Sequence, residues 1–148
     1  MNLWIDIARD SLCNVLSLSD ILFINESEAS LLSGKKTIYD SASLFLDLGL
    51  KIVVVKKGGQ GAELFSNEEN IKIGAYKVNV VDPTGAGDVF GGAFISTLAQ
   101  GGTLSDSLVN GSAMASFCVE GFGTSSILVV SEEELEYRKS NLYSTLSS

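Results

Sequence analysis

Apolar positions in this chain follow two kinds of pattern. Ile21-Leu22-Phe23-Ile24 and Ile52-Val53-Val54-Val55 are short continuous runs, which read as strands buried on both faces. Between them, Asn25 is a good N-cap with Glu28 at its third position. Ala29, Leu31 and Leu32 follow, and Gly34 stops a short helix. Thr37 opens another helix carrying Ala42, Phe45, Leu46 and Leu48, stopped by Gly49. Strand, helix, strand with short loops predicts a parallel βαβ unit. After Gly58-Gly59-Gln60-Gly61, the run Ala62-Glu63-Leu64-Phe65 reads as an antiparallel strand, and residues 71–81 as one long or two short strands.

Helical spacing takes over further along. Phe90, Ala93, Phe94, Thr97 and Leu98 form one buried stripe on a helix expected over 85–100. A second helix, over 104–120, is apolar nearly all round through Leu108, Val109, Ala113, Met114, Ala115, Phe117 and Val119. Ser131 and Glu134 read as a capping box opening a charged terminal helix. The pattern is that of an α/β fold with a mostly parallel sheet and a β-hairpin, in one domain.

Composition narrows the chemistry. The 148 residues carry a formal net charge of −8 and 45% hydrophobic residues, which excludes a disordered tail and argues against nucleic acid as the main partner. No apolar run reaches the ~18 residues of a membrane span. The first ten residues include Asp6 and Asp10 and lack the basic-then-apolar order of a secretory signal. Histidine is absent, which removes His-dependent triads and His-bound zinc. Cys13 and Cys118 read as two reduced thiols of a cytoplasmic protein.

The strongest chemical signal is Val80-Val81-Asp82-Pro83-Thr84-Gly85-Ala86-Gly87-Asp88, running directly into a helix. Pro83 holds Asp82 extended. Gly85, Ala86 and Gly87 let a ligand approach the main chain, and their N–H groups belong to a helix N-terminus with its positive potential. That is a site for an anion, such as a phosphoryl group in transfer. Asp88, in the first turn, can accept a proton from an attacking hydroxyl. The plainer reading is a helix start capped by Asp82 or Thr84, with Asp88 a dipole-favoured acid. Taken singly, Asn25 and Glu28 are a capped helix, Gly58 to Gly61 a hairpin turn, and Lys56-Lys57 a solvated pair. Two other motifs fail on spacing. The stretch around Gly34-Lys35-Lys36 has Ala29 and Lys36 where a P-loop needs Gly and Ser or Thr. Gly85-Ala86-Gly87 meets Phe90 where a dinucleotide fingerprint needs its third glycine.

In combination these stretches resemble the PfkB/ribokinase family of carbohydrate and nucleoside kinases. The Asp82-to-Asp88 run followed by Phe90-Gly91-Gly92-Ala93-Phe94 resembles the family's C-terminal signature. Asn25-Glu26-Ser27-Glu28 resembles its N-x-x-E motif, and Lys57-Gly58-Gly59-Gln60-Gly61 its G-x-x-G nucleotide loop. Ala115-Ser116-Phe117 through Gly121-Phe122-Gly123 resembles its final nucleotide-pocket helix and loop.

The resemblance implies a ribokinase-like αβα sandwich, of which this chain is the nucleotide-binding C-terminal half. It implies ATP and Mg²⁺, with a sugar or nucleoside as acceptor. Asp88 would be the general base, and Gly85, Ala86 and Gly87 the anion hole for the γ-phosphoryl. Asn25 and Glu28 would position Mg²⁺ through its waters. Gly58 and Gly61 would approach the nucleotide, with Ser116 and Gly121 in its pocket. Lys56 departs from the Thr of many relatives, and lysine can pair with phosphate. Asp82 and Thr84 sit where some relatives hold a monovalent cation such as K⁺. Family members run to roughly twice this length, and Met1-Asn2-Leu3-Trp4-Ile5 resembles an internal segment of theirs. The expectation is a chain that needs an N-terminal half carrying the substrate residues and lid, or that self-associates.

Overall fold

The computed structural model describes residues 7–148; the resemblance of Met1 to Ile5 lies outside them. The chain divides into two compact units. One holds the residues up to Lys57 together with 63–70, the other residues 58–62 and 71–148.

In the first unit, helix α1 (Arg9–Ser17) leads to strand β1 (Ile21–Asn25), helices α2 (Glu26–Ser33) and α3 (Ile38–Asp47), and strand β2 (Ile52–Lys56). β1 and β2 pair in parallel, from Ile21 opposite Ile52 to Asn25 opposite Lys56. The two helices form the crossover that a parallel pair needs. α2 starts where Asn25 Oδ1 accepts the Glu28 N–H (2.8 Å) and Glu28 Oε2 accepts the Asn25 N–H (3.2 Å). It ends at Gly34, whose φ of +71° is left-handed. α3 is capped by Thr37, which accepts the Asp40 N–H at 3.0 Å.

Leu22, Ile24, Ala29, Leu32, Phe45, Val53 and Val55 pack as one buried cluster. Burying each large member contributes about 1.5–3 kcal/mol before conformational entropy is counted. Val53, Val54 and Val55 are all fully buried, as a strand covered on both faces should be.

Strands β3 (Ala62–Ser66) and β4 (Asn70–Ile73) complete a sheet of order β1-β2-β3-β4. The sheet is mixed, which corrects the expected mostly parallel one. The links from β2 to β3 and from β3 to β4 are far shorter than the dozen residues a parallel crossover takes. β4 stops at Ile73, where the pattern predicted strand to Val81. Alternation makes a strand only where a partner strand accepts it. Here the Gly74 N–H goes to Thr145 Oγ1 (3.1 Å), and the N–H groups of Val81 and Asp82 to the Val119 carbonyl (2.7 and 3.2 Å).

The second unit is built on helices α4 (Ala86–Ala99), α5 (Leu104–Cys118) and α6 (Glu132–Tyr143). α4 and α5 approach closely because Gly111 has no side chain. A Cβ there would sit 3.0 Å from the Phe90 carbonyl oxygen. Asn110 Nδ2 donates across the same contact to Thr97 Oγ1 (2.9 Å). α5 buries Leu108, Val109, Ala113 and Phe117, bearing out its all-round apolar pattern. α6 is capped by Ser131, which accepts the Glu134 N–H (3.2 Å). Its Glu134 carboxylate accepts from the Ser131 hydroxyl, so the reciprocal half of the expected box is made by side chains.

Candidate functional site

The Asp82-to-Asp88 run forms a turn entering α4. Gly85 is its N-cap with φ +82°, a conformation that disfavours any L side chain. The Ala86 N–H reaches back to the Pro83 carbonyl (3.2 Å), and the Val89 N–H to the Gly85 carbonyl (2.9 Å). The N–H groups of Gly85, Gly87 and Asp88 have no protein acceptor among the described residues. These are the orphan donors of a fourteen-residue helix, at its positive end. Asp88 is exposed, and its carboxylate takes part in none of the side-chain hydrogen bonds or ion pairs found among those residues.

Asp82 is employed differently. Its Oδ1 accepts the Thr84 N–H (2.9 Å) and its Oδ2 the Gly123 N–H (3.1 Å). The Thr84 side chain, with the Thr84 and Gly123 N–H groups, holds its carboxyl below the usual carboxylate range. Cys118 lies buried beside the turn. Its Sγ is 3.4 Å from the Gly123 carbonyl oxygen and 3.6 Å from that of Thr84. Burial, then the Asp82 charge, push its thiol pKa up.

In the first unit, Asn25 and Lys56 stand opposite one another at the C-terminal ends of parallel strands, the edge at which α/β sheets present ligands. Glu28 joins them through the capping box. Asn25 Oδ1 also accepts from the Ser27 hydroxyl (2.8 Å). No group of three or more acidic, Cys or His side chains able to hold a metal occurs among the described residues.

Of the remaining expected residues, Gly61, Ser116 and Gly121 have structural partners, and a side chain at Gly58 would meet none. Gly58 (φ +54°) starts a 3₁₀ turn, and a Cβ there would meet nothing within 4 Å. Gly61 (φ +98°) lies against β4: its Cβ would fall 1.9 Å from the Ile73 carbonyl oxygen. Ser116 is buried; its hydroxyl donates to the Ala113 carbonyl (2.6 Å) and accepts from Arg138 (2.8 Å). A Cβ on Gly121 would meet the Ser126 Cβ at 3.0 Å. A cleft of about 460 Å³ opens at the far end of α4, lined by Gln100, Asp106, Asn110 and Tyr143 among others. Most of those polar groups bond one another or their own helix.

Residues 2–130 match the pfkB family of carbohydrate kinases. The chain belongs to that family. It is 39% identical over 125 residues to a ribokinase of Staphylococcus aureus strain COL, covering 80% of this chain and 41% of that one. It is 37% identical over 109 residues to an ATP-dependent 6-phosphofructokinase of Thermoanaerobacterium thermosaccharolyticum, covering 74% of this chain and 34% of the other. Its fold matches that of an E. coli protein described as ribokinase II, solved with ATP and Mg²⁺. The TM-score is 0.84 at 36% identity, over 95% of this chain and 46% of the other. This pfkB chain thus spans less than half the length of the relatives it matches. No helix among the described residues is long and apolar enough to cross a membrane.

Sequence reasoning read Cys118 as a reduced thiol and Gly123 as part of a nucleotide-pocket loop without placing either against the turn into α4, and it did not single out Arg138. The guanidinium of Arg138 lies 3.5 Å from the Phe117 ring centroid and 4.8 Å from that of Tyr76, and its NH2 is 2.6 Å from Glu120. Of the three, only Gly123 carried a local signal: a glycine in a loop, here at φ +60°.

Proposed function

We propose that this pfkB chain binds ATP and forms the phosphoryl-transfer portion of a kinase acting on an alcohol of a sugar or nucleoside. The observation that carries the reading is the turn into α4. Among the described residues, N–H groups without an acceptor at Gly85 and Gly87 stand beside an exposed carboxylate at Asp88 that has no partner there. Donors fixed in advance at a helix N-terminus stabilise charge on a transferring phosphoryl without reorganising. Asp88 takes the proton of the acceptor hydroxyl as that oxygen attacks.

Lys56 and Gly58 serve the phosphates, Lys56 as a point charge and Gly58 by leaving the main chain open. Gly61, Ser116 and Gly121 shape the nucleotide side through the packing described above. Asn25 and Glu28 are the residues that would hold Mg²⁺. Their capping box gives few protein ligands, which fits an ion that commonly keeps several waters and binds through one or two side chains and substrate phosphates. Mg²⁺ supplies charge neutralisation of those phosphates. Each Asp82 oxygen retains a lone pair beyond its N–H bond, so Asp82 and the Thr84 carbonyl are where a monovalent cation such as K⁺ would come.

The matched length of 41–46% in ribokinase relatives supports a second part to this proposal. The chain acts as the C-terminal half of a ribokinase-like sandwich in the cytoplasm, with acceptor binding supplied by the portion it does not match. The alternative reading is a catalytically inactive nucleotide-binding fragment or one half of a split kinase.

The test is calorimetry of ATP with Mg²⁺, followed by phosphorylation of a panel of sugars and nucleosides with and without the complementary half added. ATP binding is expected for the chain alone, with transfer only when complemented. In the complemented enzyme, Asp88→Asn should lower kcat at least ~10²-fold with ATP affinity nearly unchanged. Absence of ATP binding overturns the reading, and unchanged kcat removes Asp88 from the base role.

A further inference from the structure

Two residues, Thr84 in the anion-hole turn and Gly123 in the loop that leaves α5, are each held at both their N–H and their carbonyl. The N–H of Thr84 is taken by Asp82 Oδ1 and its carbonyl faces the Cys118 thiol. The N–H of Gly123 is taken by Asp82 Oδ2 and its carbonyl faces the same thiol. Thr84 and Gly123 are far apart in sequence and lie on different loops. One carboxylate and one thiol therefore tie together the turn that enters α4 and the loop that leaves α5.

The sulfur also underlies the next residue. A Cβ on Gly85 would be 3.9 Å from Cys118 Sγ and 3.3 Å from Thr124 Cγ2. The Thr84 carbonyl and the Gly85 N–H share one peptide plane, so whatever fixes that carbonyl aims the first donor of the anion hole. We propose that Cys118, acting with Asp82, is a positioning residue that couples the Gly121-to-Thr124 loop to the phosphoryl-binding turn. Its link to phosphoryl binding rests on the function proposed above.

The chemistry suits a thiol. The S–H is a weak donor with one proton, facing two carbonyls of which it can serve one at a time. It therefore tethers both loops without locking either. A carboxylate with two acceptor oxygens provides the complementary hold on both N–H groups.

The test compares Cys118→Val, which removes the donor and adds about one methyl of volume, with Cys118→Ser, which keeps a donor. Cys118→Ala serves as a second donor-free variant should Val fail to fold. Amide exchange read by NMR at Thr84 and Gly123 needs no ligand. Both amides should exchange about 3- to 10-fold faster in the donor-free variant, the scale of one weak hydrogen bond. Both should return toward wild type in Cys118→Ser. In parallel, ATP affinity should fall by a similar factor while adenosine affinity holds, because only the phosphate donors are misdirected. Exchange that stays at wild-type rates, or that changes at one loop alone, overturns the coupling. Equal losses for ATP and adenosine reduce Cys118 to a packing residue. If the wild-type chain binds no ATP, the proposed function fails, and the exchange data still decide whether the two loops are coupled.

Discussion

Gly61 is the position where a structural and a nucleotide-binding role separate most sharply, and Gly61→Ala separates them by magnitude. The backbone there has φ +98°, which an L residue adopts only with strain of about 1–3 kcal/mol. The added Cβ would lie 1.9 Å from the Ile73 carbonyl oxygen and 2.7 Å from the Gly74 carbonyl carbon. Both are main-chain atoms at the end of β4, so relief requires a backbone shift of about 1 Å in a close-packed region. Overpacking of that kind costs a further ~1–3 kcal/mol. The expected loss is thus about 2–6 kcal/mol, a large share of the ~5–15 kcal/mol by which domains are stable.

Gly58→Ala is the control. It also has positive φ, at +54°, but its Cβ would enter open space, so it loses only about 1–2 kcal/mol. Urea titration followed by circular dichroism measures both. Thermal midpoints should fall by several degrees more for Gly61→Ala, at about 2–4 °C per kcal/mol for a chain near this size. ATP titration then gives the functional contrast, with Gly58→Ala losing affinity out of proportion to its stability. A Gly61→Ala variant no less stable than Gly58→Ala would refute the close-approach account.

Arg138→Met should cost about 1.5–3 kcal/mol in the same titration, since it removes the Glu120 ion pair, the Ser116 hydrogen bond and the contacts with Phe117 and Tyr76. Arg138→Lys should recover less than half, because an ammonium cannot reproduce a planar donor set. On the alkaline side, burial and the hydrogen bond to Asp106 push Tyr143 up to about 12. Its contribution is full below the unfolded value near 10 and is lost as pH rises from there through about 12. Tyrosinate absorbance should show Tyr143 titrating late, and Asp106→Asn should move it earlier. On the acid side, Asp82 and Asp106 both have lowered values. Their contributions are full above the ordinary value of about 3.9 and are lost as pH falls through the folded values. Acid unfolding of Asp82→Asn should accordingly show a weaker pH dependence below that point.

What was legible in the chain followed the range of the interaction. The Asn25 cap, the Gly34 stop and the buried valines of β2 rest on contacts within a few residues, and each is where its local pattern placed it. The turn into α4 was legible for the same reason: a proline, three small residues and an acid define a helix start by themselves. Residues 74–80 were not. Their alternation suited a strand, but the acceptors near that stretch come from Val119 and Thr145, much later in the chain. Ser116 shows the same limit. The donor to its hydroxyl, Arg138, comes from α6, far along the chain, and could not be read from its own stretch. Gly61 was noticed as a glycine of a nucleotide loop, yet its immediate constraint is the backbone of β4.

The two aspartates that bracket the signature show how environment divides labour between identical side chains. Both belong to one short turn, and nothing in the residue type distinguishes them. Asp82 has both oxygens engaged by main-chain N–H groups from two loops. Those bonds favour its charged form and resist protonation, which makes it a poor proton acceptor and a good fastener. Asp88 lies in the first turn of the helix, exposed, with no hydrogen bond or ion pair found for it among the described residues. A base has to be free to take a proton at the moment an oxygen attacks, and it has to stand beside the group that oxygen attacks. Under the function proposed above, Asp88 meets both conditions, next to the Gly87 N–H, which has no acceptor among the described residues. Exchanging the roles would need Asp82 to release Thr84 and Gly123, which would misdirect the donors that the proposed reaction uses. On that proposal the spacing of the two acids has a physical reason: one lies before Gly85 to hold the turn, and the other after it to act within it.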